Sequence, residues 1–221
     1  MRKGIKKTFI FFMCCVMGGS FSGNFTSIPI KAAQVKEEQN KDGQKREAIL
    51  SAYRTFLKKQ EGNYFRVDTI KGEEMPILFV ADYRESDTKT THHVKIYQAK
   101  QKKQGSSQYV VKKIGDAECT SSAYDLFLNK KGELVYGSHH YTGYLSMKKG
   151  VLLNHYYYSK SDKKGKETFF HRIYKNNKKV KEEKVTSAIG NKKIYGAWDE
   201  MGEQPFIFYK NTYKNRINYI K

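Results

Sequence analysis

The chain has 221 residues, of which 42 are Lys or Arg and 22 are Asp or Glu, a formal net charge of +20. Three cysteines are too few for a disulfide-dense scaffold, so a hydrophobic core must hold the fold together. Its 17 Tyr and 13 Phe point to a core built from aromatic pairs on strands.

Residues 1–33 read as an export signal. Arg2, Lys3, Lys6 and Lys7 form a cationic start, Phe9 to Met17 a short apolar run, and Ala32-Ala33 a small-residue exit. The apolar run is about half the roughly 20 residues that a spanning helix needs. Cleavage after Ala32 or Ala33 is therefore expected, which places the rest outside the cell, secreted or at the cell surface. An uncleaved amphipathic anchor is the alternative. A lipid anchor is disfavoured, because Cys14 follows Met13 and Cys15 follows Cys14, where a small residue is wanted.

Cleavage leaves about 190 residues. Residues 34–44 read as a flexible Lys-rich tether and residues 45–221 as a single domain. The signal takes five of the 42 cations and no acid, leaving 37 basic against 22 acidic residues, a net +15. Outside a cell such a field attracts anionic wall polymers, glycans and membrane surfaces. The alternative is that Lys only solubilises the surface and blocks strand edges. Cys119 alone remains of the three cysteines, so no internal disulfide can close.

Lys45 to Gln60 has the spacing of a helix, with Ile49, Ala52, Tyr53, Phe56 and Leu57 on one face, Asp42 as N-cap and Gly62 as terminator. From Tyr64 the period becomes two. Strands are expected at Ile77 to Ala81, Val94 to Tyr97, Gln108 to Lys112, Ser122 to Leu128, Glu133 to Tyr141, Tyr144 to Met147, Val151 to Ser159, Glu167 to Lys175 and Val180 to Val185. Lys130-Lys131-Gly132, Lys148-Lys149-Gly150, Lys163-Lys164-Gly165 and Asn176-Asn177-Lys178 read as tight hairpin turns. Alternation of hairpin ends is expected to put the turns at Lys131 and Lys163 at one end of the sheet and those at Lys149 and Asn177 at the other. Lysines so dispersed argue against specific nucleic-acid binding in one basic groove. Ala188 to Gln204 reads as a loop, with Trp198 as a half-buried plug. Tyr213, Ile217 and Ile220 form a stripe that could dock a short final helix on the sheet. The fold class is α+β: an antiparallel meander, as a large sheet or partly closed barrel, with an N-terminal helix and a short C-terminal one.

Tyr64-Phe65, Val67 and the run Thr69 to Val80 resemble a degraded "YF-x-L-x-DINGDGIPELLI" segment of uncharacterised secreted proteins of Gram-positive, Clostridia-type bacteria. The likeness extends through Ser121 to Tyr124, His140 to Tyr144, Tyr174 to Val180, Tyr209 to Thr212 and Asn215-Arg216. The resemblance implies an exported domain with an N-terminal helix and a β-rich body, and no assigned activity. Its intact loop looks like a calcium loop with oxygen ligands at alternating positions. Here those positions hold Thr69, Lys71 and Glu73, and Ile77 replaces the closing Glu, which argues against calcium.

A turn centred on Lys163 would oppose His155 to His171, Tyr157 to Phe169 and Tyr156 to Phe170. Two opposed histidines could chelate a metal, but a zinc site needs a third protein ligand, and His139 and His140 are displaced by about 10 Å along the strand. The His92-His93 doublet is expected to be exposed. Cys119 is a thiol without a local catalytic signature and reads as a small buried residue. No Gly-x-Ser-x-Gly elbow, His-Glu-x-x-His or phosphate-cradling loop is present, and no cofactor or metal is implied.

The expected role is a non-enzymatic binding domain, with Tyr156, Tyr157, Tyr158, His155, His171, Lys163 and Lys164 as candidate ligand-binding residues. The alternatives are a metal- or thiol-dependent hydrolase using His155, His171 or Cys119, and a structural role in a surface assembly.

Overall fold

The computed structural model describes residues 29–60, 62–87, 89–120, 126–201 and 206–221. Most of the signal segment, with Cys14 and Cys15, lies outside the described residues, as do Thr88 and residues 121–125. The chain divides into two units, Met1–Gln39 and Asn40–Lys221. The described part of the first is helical backbone; everything below concerns the second. No helix among the described residues is long and apolar enough to cross a membrane.

Helix α1 spans Pro29–Leu57. The stretch read as a tether is thus helical, and Asp42 lies inside the helix instead of capping it. Gln, Lys and Glu make up seven of its eleven residues, and all are good helix formers that need no buried face. From Asn40 onward the buried face begins at Ile49 and continues through Leu50, Tyr53 and Leu57. Tyr53 is fully buried; its Oη donates to the Pro76 carbonyl at 2.9 Å and accepts from Ala99 N–H at 3.0 Å. One phenol thereby fixes the helix to one strand and to the residue that leads into another.

The strands are β1 (Tyr64–Asp68), β2 (Ile77–Ala81), β3 (His93–Gln101), β4 (Tyr109–Glu118), β5 (Phe127–Leu128), β6 (Leu134–Ser138), β7 (Tyr141–Lys148), β8 (Val151–Ser161), β9 (Glu167–Lys175), β10 (Lys178–Val185) and β11 (Tyr209–Lys210). They form two open antiparallel sheets, a five-stranded one in the order β11-β1-β2-β3-β4 and a six-stranded one in the order β10-β9-β8-β7-β6-β5. Strand β2 is buried at every position because both of its faces are covered. Leu78 and Val80 face α1, whereas Ile77, Phe79 and Ala81 meet Leu134, Leu145, Met147 and Leu152 of the six-stranded sheet. The architecture is α+β, with the expected terminal helices.

Lys149-Gly150 and Asn176-Asn177 take positive φ at both central positions, as two-residue hairpins require. The stretch Glu133 to Tyr141 is not one strand: it breaks at His139-His140, between β6 and β7. Successive hairpins then put the turns at Lys131, Lys149 and Asn177 at one end of the sheet, and Lys163 with His139-His140 at the other. This corrects the expected pairing of ends.

Ala188 to Gln204 is not a plain loop. It contains α2 (Ser187–Ile194) and a 3₁₀ turn (Trp198–Glu200). Thr186 caps α2 by accepting from Ile189 N–H at 3.4 Å. The helix lies so close to β9 that a Cβ on Gly190 would sit 2.2 Å from the Phe169 ring. A helix seated through a glycine shows no apolar stripe, which is why periodicity does not reveal it. Trp198 is half-buried beside Phe127, ring centroids 5.0 Å apart.

Helix α3 (Tyr213–Tyr219) forms where expected, but only Ile220 of its stripe is buried; Tyr213 and Ile217 are exposed. Ile220, with buried Arg216 beside the stripe, holds it. Arg216 donates to Asn211 Oδ1 at 2.8 Å.

Candidate functional site

Strand β4 ends the five-stranded sheet, and its edge faces β6, β8 and β9 of the other sheet across a cleft of about 300 Å³. Asp116 and Glu118 border one side; Tyr136, Asn154, Tyr156 and Tyr174 form the other, and Asn177 closes one end. Positions 152, 154 and 156 share one face of β8. Leu152 enters the core, and Asn154 and Tyr156 continue that face into the cleft.

Gly143 is the reason Tyr136 reaches this cleft. It pairs with Tyr136 on one side and Tyr156 on the other, and a Cβ there would lie 2.1 Å from the Tyr136 ring. Without a side chain on β7, the Tyr136 ring crosses that strand. Its Oη then accepts from Asn154 Nδ2 at 2.6 Å. The other end of the same amide, Oδ1, is buried and unpaired. An orphaned buried acceptor costs about 1–3 kcal/mol unless a ligand or water supplies a donor.

The rings form a continuous cluster. Tyr141 and Tyr156 are 5.3 Å apart, and Tyr156 meets Tyr174 edge-on at 6.2 Å. Tyr141 Oη donates to the Glu118 carbonyl on β4 at 3.1 Å, bridging the sheets. Burial raises the Tyr136 and Tyr141 phenol pKa values, and burial with neighbouring tyrosines pushes Tyr156 up to about 12. These phenols stay neutral at physiological pH and offer apolar faces with hydroxyl donors. Asp116 accepts from Lys113 Nζ at 2.7 Å and is 3.5 Å from Asn177 Nδ2.

The structure separates the residues singled out in the sequence. Tyr156 is in the cleft. Tyr158 shares its face but lies farther along β8, stacked on Phe170 at 5.1 Å, with the Arg172 guanidinium 4.4 Å above its ring. Tyr157, His155 and His171 are on the opposite face. Lys163 and Lys164 are exposed at the β8–β9 hairpin tip.

The histidine register also differs from the expectation. Tyr157 opposes His171, His155 opposes Ile173, Tyr158 opposes Phe170 and Tyr156 opposes Arg172. The turn is centred on Lys164, with Asp162 N–H donating to the Lys166 carbonyl at 3.1 Å, and this moves the register by two residues. An even shift preserves faces, so the two histidines become diagonal neighbours, with Nδ1 of His155 3.1 Å from Nε2 of His171. His171 Nδ1 lies 3.2 Å from Glu183 Oε1, and Tyr157 stacks on His171 at 4.4 Å. With His171 Nδ1–H donating to Glu183, its Nε2 accepts from His155. Among the described residues, no three His, Cys, Asp or Glu side chains are grouped to hold a metal.

Cys119 is buried in the core between the sheets, where its Sγ accepts from Gly137 N–H at 3.4 Å. The six-stranded sheet separates it from His155 and His171, so it does not meet either of these two histidines. His92 is buried beside Glu85 at 3.3 Å and His93 is 3.8 Å from Asp116, so the doublet is not exposed as expected. Glu85 N–H donates to the Thr90 carbonyl at 2.9 Å, and Thr90 and Thr91 are buried with His92. In the Thr69 to Ile77 loop, Lys71 pairs with Glu133 at 2.8 Å, and Glu73 accepts from Met75 N–H at 3.2 Å and Gln98 Nε2 at 3.0 Å.

Other hollows lack this chemistry. A groove of about 520 Å³ along α1 is walled by Ala48, Ala52, Phe56 and Val110. Another, of about 380 Å³, contains an unpaired Gln98 Oε1 but one aromatic ring, Tyr109. Fold and cleft together define a two-sheet α+β domain with a tyrosine-lined hollow at the junction of its sheets. No protein-family model, curated protein or solved structure matches the chain.

Proposed function

We propose that this protein is an extracellular, non-enzymatic binding module that holds a glycan in the cleft between β4 and the tyrosine face of β6, β8 and β9. The observation that carries the reading is the buried, unpaired Asn154 Oδ1 in a cleft lined by tyrosine rings. A sugar ring matches that combination: its C–H face packs on an aromatic ring, and its hydroxyls donate to amide and carboxylate oxygens. A bare lipid surface offers neither the ring nor the hydroxyls. The export signal and the resemblance to secreted Gram-positive proteins support the location.

Asp116 and Glu118 come from alternate positions of one strand, on one side of the cleft. Glycoside hydrolysis needs carboxyl groups flanking the bond to be cut, so this arrangement favours holding over cutting.

Affinity electrophoresis of the purified protein through a panel of soluble polysaccharides tests the reading. Retardation by at least one of them, abolished in Tyr156→Ala and reduced in Asn154→Leu, is the expected result. Equal mobility in every gel, or retardation unchanged by both substitutions, refutes it.

A further inference from the structure

The tyrosine-lined cleft does not end at Asn177. Beyond Asp116 and Asn177, which border both spaces, it opens into a second hollow of about 360 Å³ walled by Lys100, Lys112, Lys113 and Asn176. The chemistry reverses across that boundary. The first space has phenols, an amide and carboxylates, whereas the second has three ammonium groups. Lys113 is neutralised by Asp116 at 2.7 Å, but Lys100 and Lys112 pair with no carboxylate among the described residues.

The backbone beneath these lysines is irregular and fixed. Opposite the step from Ile96 to Tyr97, β4 carries an extra residue: Ile96 pairs with Gly115 and Tyr97 with Lys113, leaving Ile114 as a bulge. Bulges re-aim side chains and recur beside functional sites. This one turns Ile114 into the core. Beside it, Gly115 lets the sheets touch: a Cβ there would be 2.3 Å from Leu152 Cδ2 and 3.3 Å from Asn177 Oδ1. The opposite wall is equally held, because Asn176 N–H donates to the Leu152 carbonyl at 3.0 Å and Leu152 N–H to Asn176 Oδ1 at 3.1 Å. Both halves of the cleft therefore stand on one pinned junction, which limits the entropy lost when one ligand spans them.

We infer that the lysine-lined half is a subsite for the anionic substituent of the same ligand, so that the preferred ligand is a glycan carrying a carboxylate or phosphate next to the sugar held by Tyr156 and Tyr174. The inference rests on the glycan reading proposed above. Ammonium groups act as point charges toward either anion, so the lysines alone do not separate the two sources.

The experiment measures binding of the purified protein to three oligosaccharides of matched length: a neutral one, a uronic-acid counterpart and a phosphate-bearing counterpart. Inorganic phosphate alone is a fourth arm. Two exposed charge pairs, each contributing a fraction of a kcal/mol, give an expected preference of about three- to tenfold for an acidic glycan over the neutral one. That preference falls as salt is raised. Lys100→Gln combined with Lys112→Gln removes the preference and leaves neutral binding unchanged, whereas Asn154→Leu weakens all three glycans in parallel. The larger of the two acidic affinities names the anion. Equal binding of neutral and acidic glycans, or a preference that survives the double lysine variant, overturns this inference and leaves the glycan reading standing. Binding of inorganic phosphate alone as tight as that of the phosphate-bearing glycan overturns it too, because the sugar then contributes nothing. Failure of all three glycans to bind refutes the glycan reading itself.

Discussion

The Tyr136 ring crosses β7 from β6 so that Asn154 on β8 donates to its Oη at 2.6 Å, and the Oδ1 of Asn154 is left buried without a partner. The pair couples stability to ligand binding, because the amide is only half satisfied until a donor arrives. Asn154→Leu removes the orphan but strands the Tyr136 hydroxyl, so it is expected to destabilise by about 1–2 kcal/mol. Tyr136→Phe in the same chain removes the stranded hydroxyl and should recover most of that loss. Urea unfolding of the single and double variants measures the cycle; additive losses would show that the two side chains are not coupled.

Gly143 is the gap through which that contact passes. In Gly143→Ala the new methyl would enter the Tyr136 ring at 2.1 Å, and the ring must leave its place over β7. The expected cost is about 1–3 kcal/mol, the range of overpacking in a filled core. Glycan retardation should be reduced with it, because Asn154 then has no Tyr136 to orient it. A Gly143→Ala protein with unchanged thermal stability and retardation would place the Tyr136 ring elsewhere.

The sequence carries the fold better than the cleft, and for a physical reason. Strands such as β2 and β9 show as continuous or alternating apolar runs, and β9 lies between turns marked by Gly165 and Asn176-Asn177, which are local signals. The cleft depends on how an edge strand of one sheet meets the face of another, and no local pattern encodes that. Asn154 was nonetheless visible in outline: it is an amide on the inward phase of a strand whose other members there are Leu152 and Tyr156. Asp116 and Glu118 had no such mark, because their place depends on β4 ending its sheet. Likewise, the histidine pair survived a register error only because the error was even.

His155 makes stability depend on pH. Burial, with His171 beside it, lowers its pKa below the ordinary 6.5, so the folded protein favours the neutral imidazole. The unfolded chain binds a proton at about pH 6.5 and the folded chain only at lower pH. Stability from this group is therefore complete above pH 6.5 and is lost as pH falls from there toward the folded pKa. His155→Gln should flatten the stability profile across that window relative to wild type, as followed by urea midpoints at several pH values. An imidazole titration by NMR with its midpoint above 6.5 would contradict the assignment.

The end of α1 depends on a residue from the far end of the chain. Asn211 Nδ2 donates to the Leu57 carbonyl at 2.8 Å and the Gln60 carbonyl at 2.6 Å, and its Oδ1 accepts from buried Arg216. The last carbonyls of a helix have no partners within it, so a distant side chain here does the work of a C-cap. Asn211→Ala does two things together: it leaves the Leu57 and Gln60 carbonyls with only Gln60 N–H at 3.0 Å and Asn63 N–H at 3.4 Å, and it leaves a buried guanidinium without its acceptor. The expected loss is about 2–4 kcal/mol, larger than for an ordinary surface cap because Arg216 is only 7% exposed. Asn211→Asp separates the parts, because it keeps an acceptor for Arg216 but cannot donate to the carbonyls, and it should lose less than Asn211→Ala. Hydrogen exchange localises the effect: amides in the last turns of α1 and in α3 should lose protection together, while those of β8 and β9 keep theirs. Loss of protection spread evenly over both sheets would mean that Asn211 supports the whole domain and not this junction.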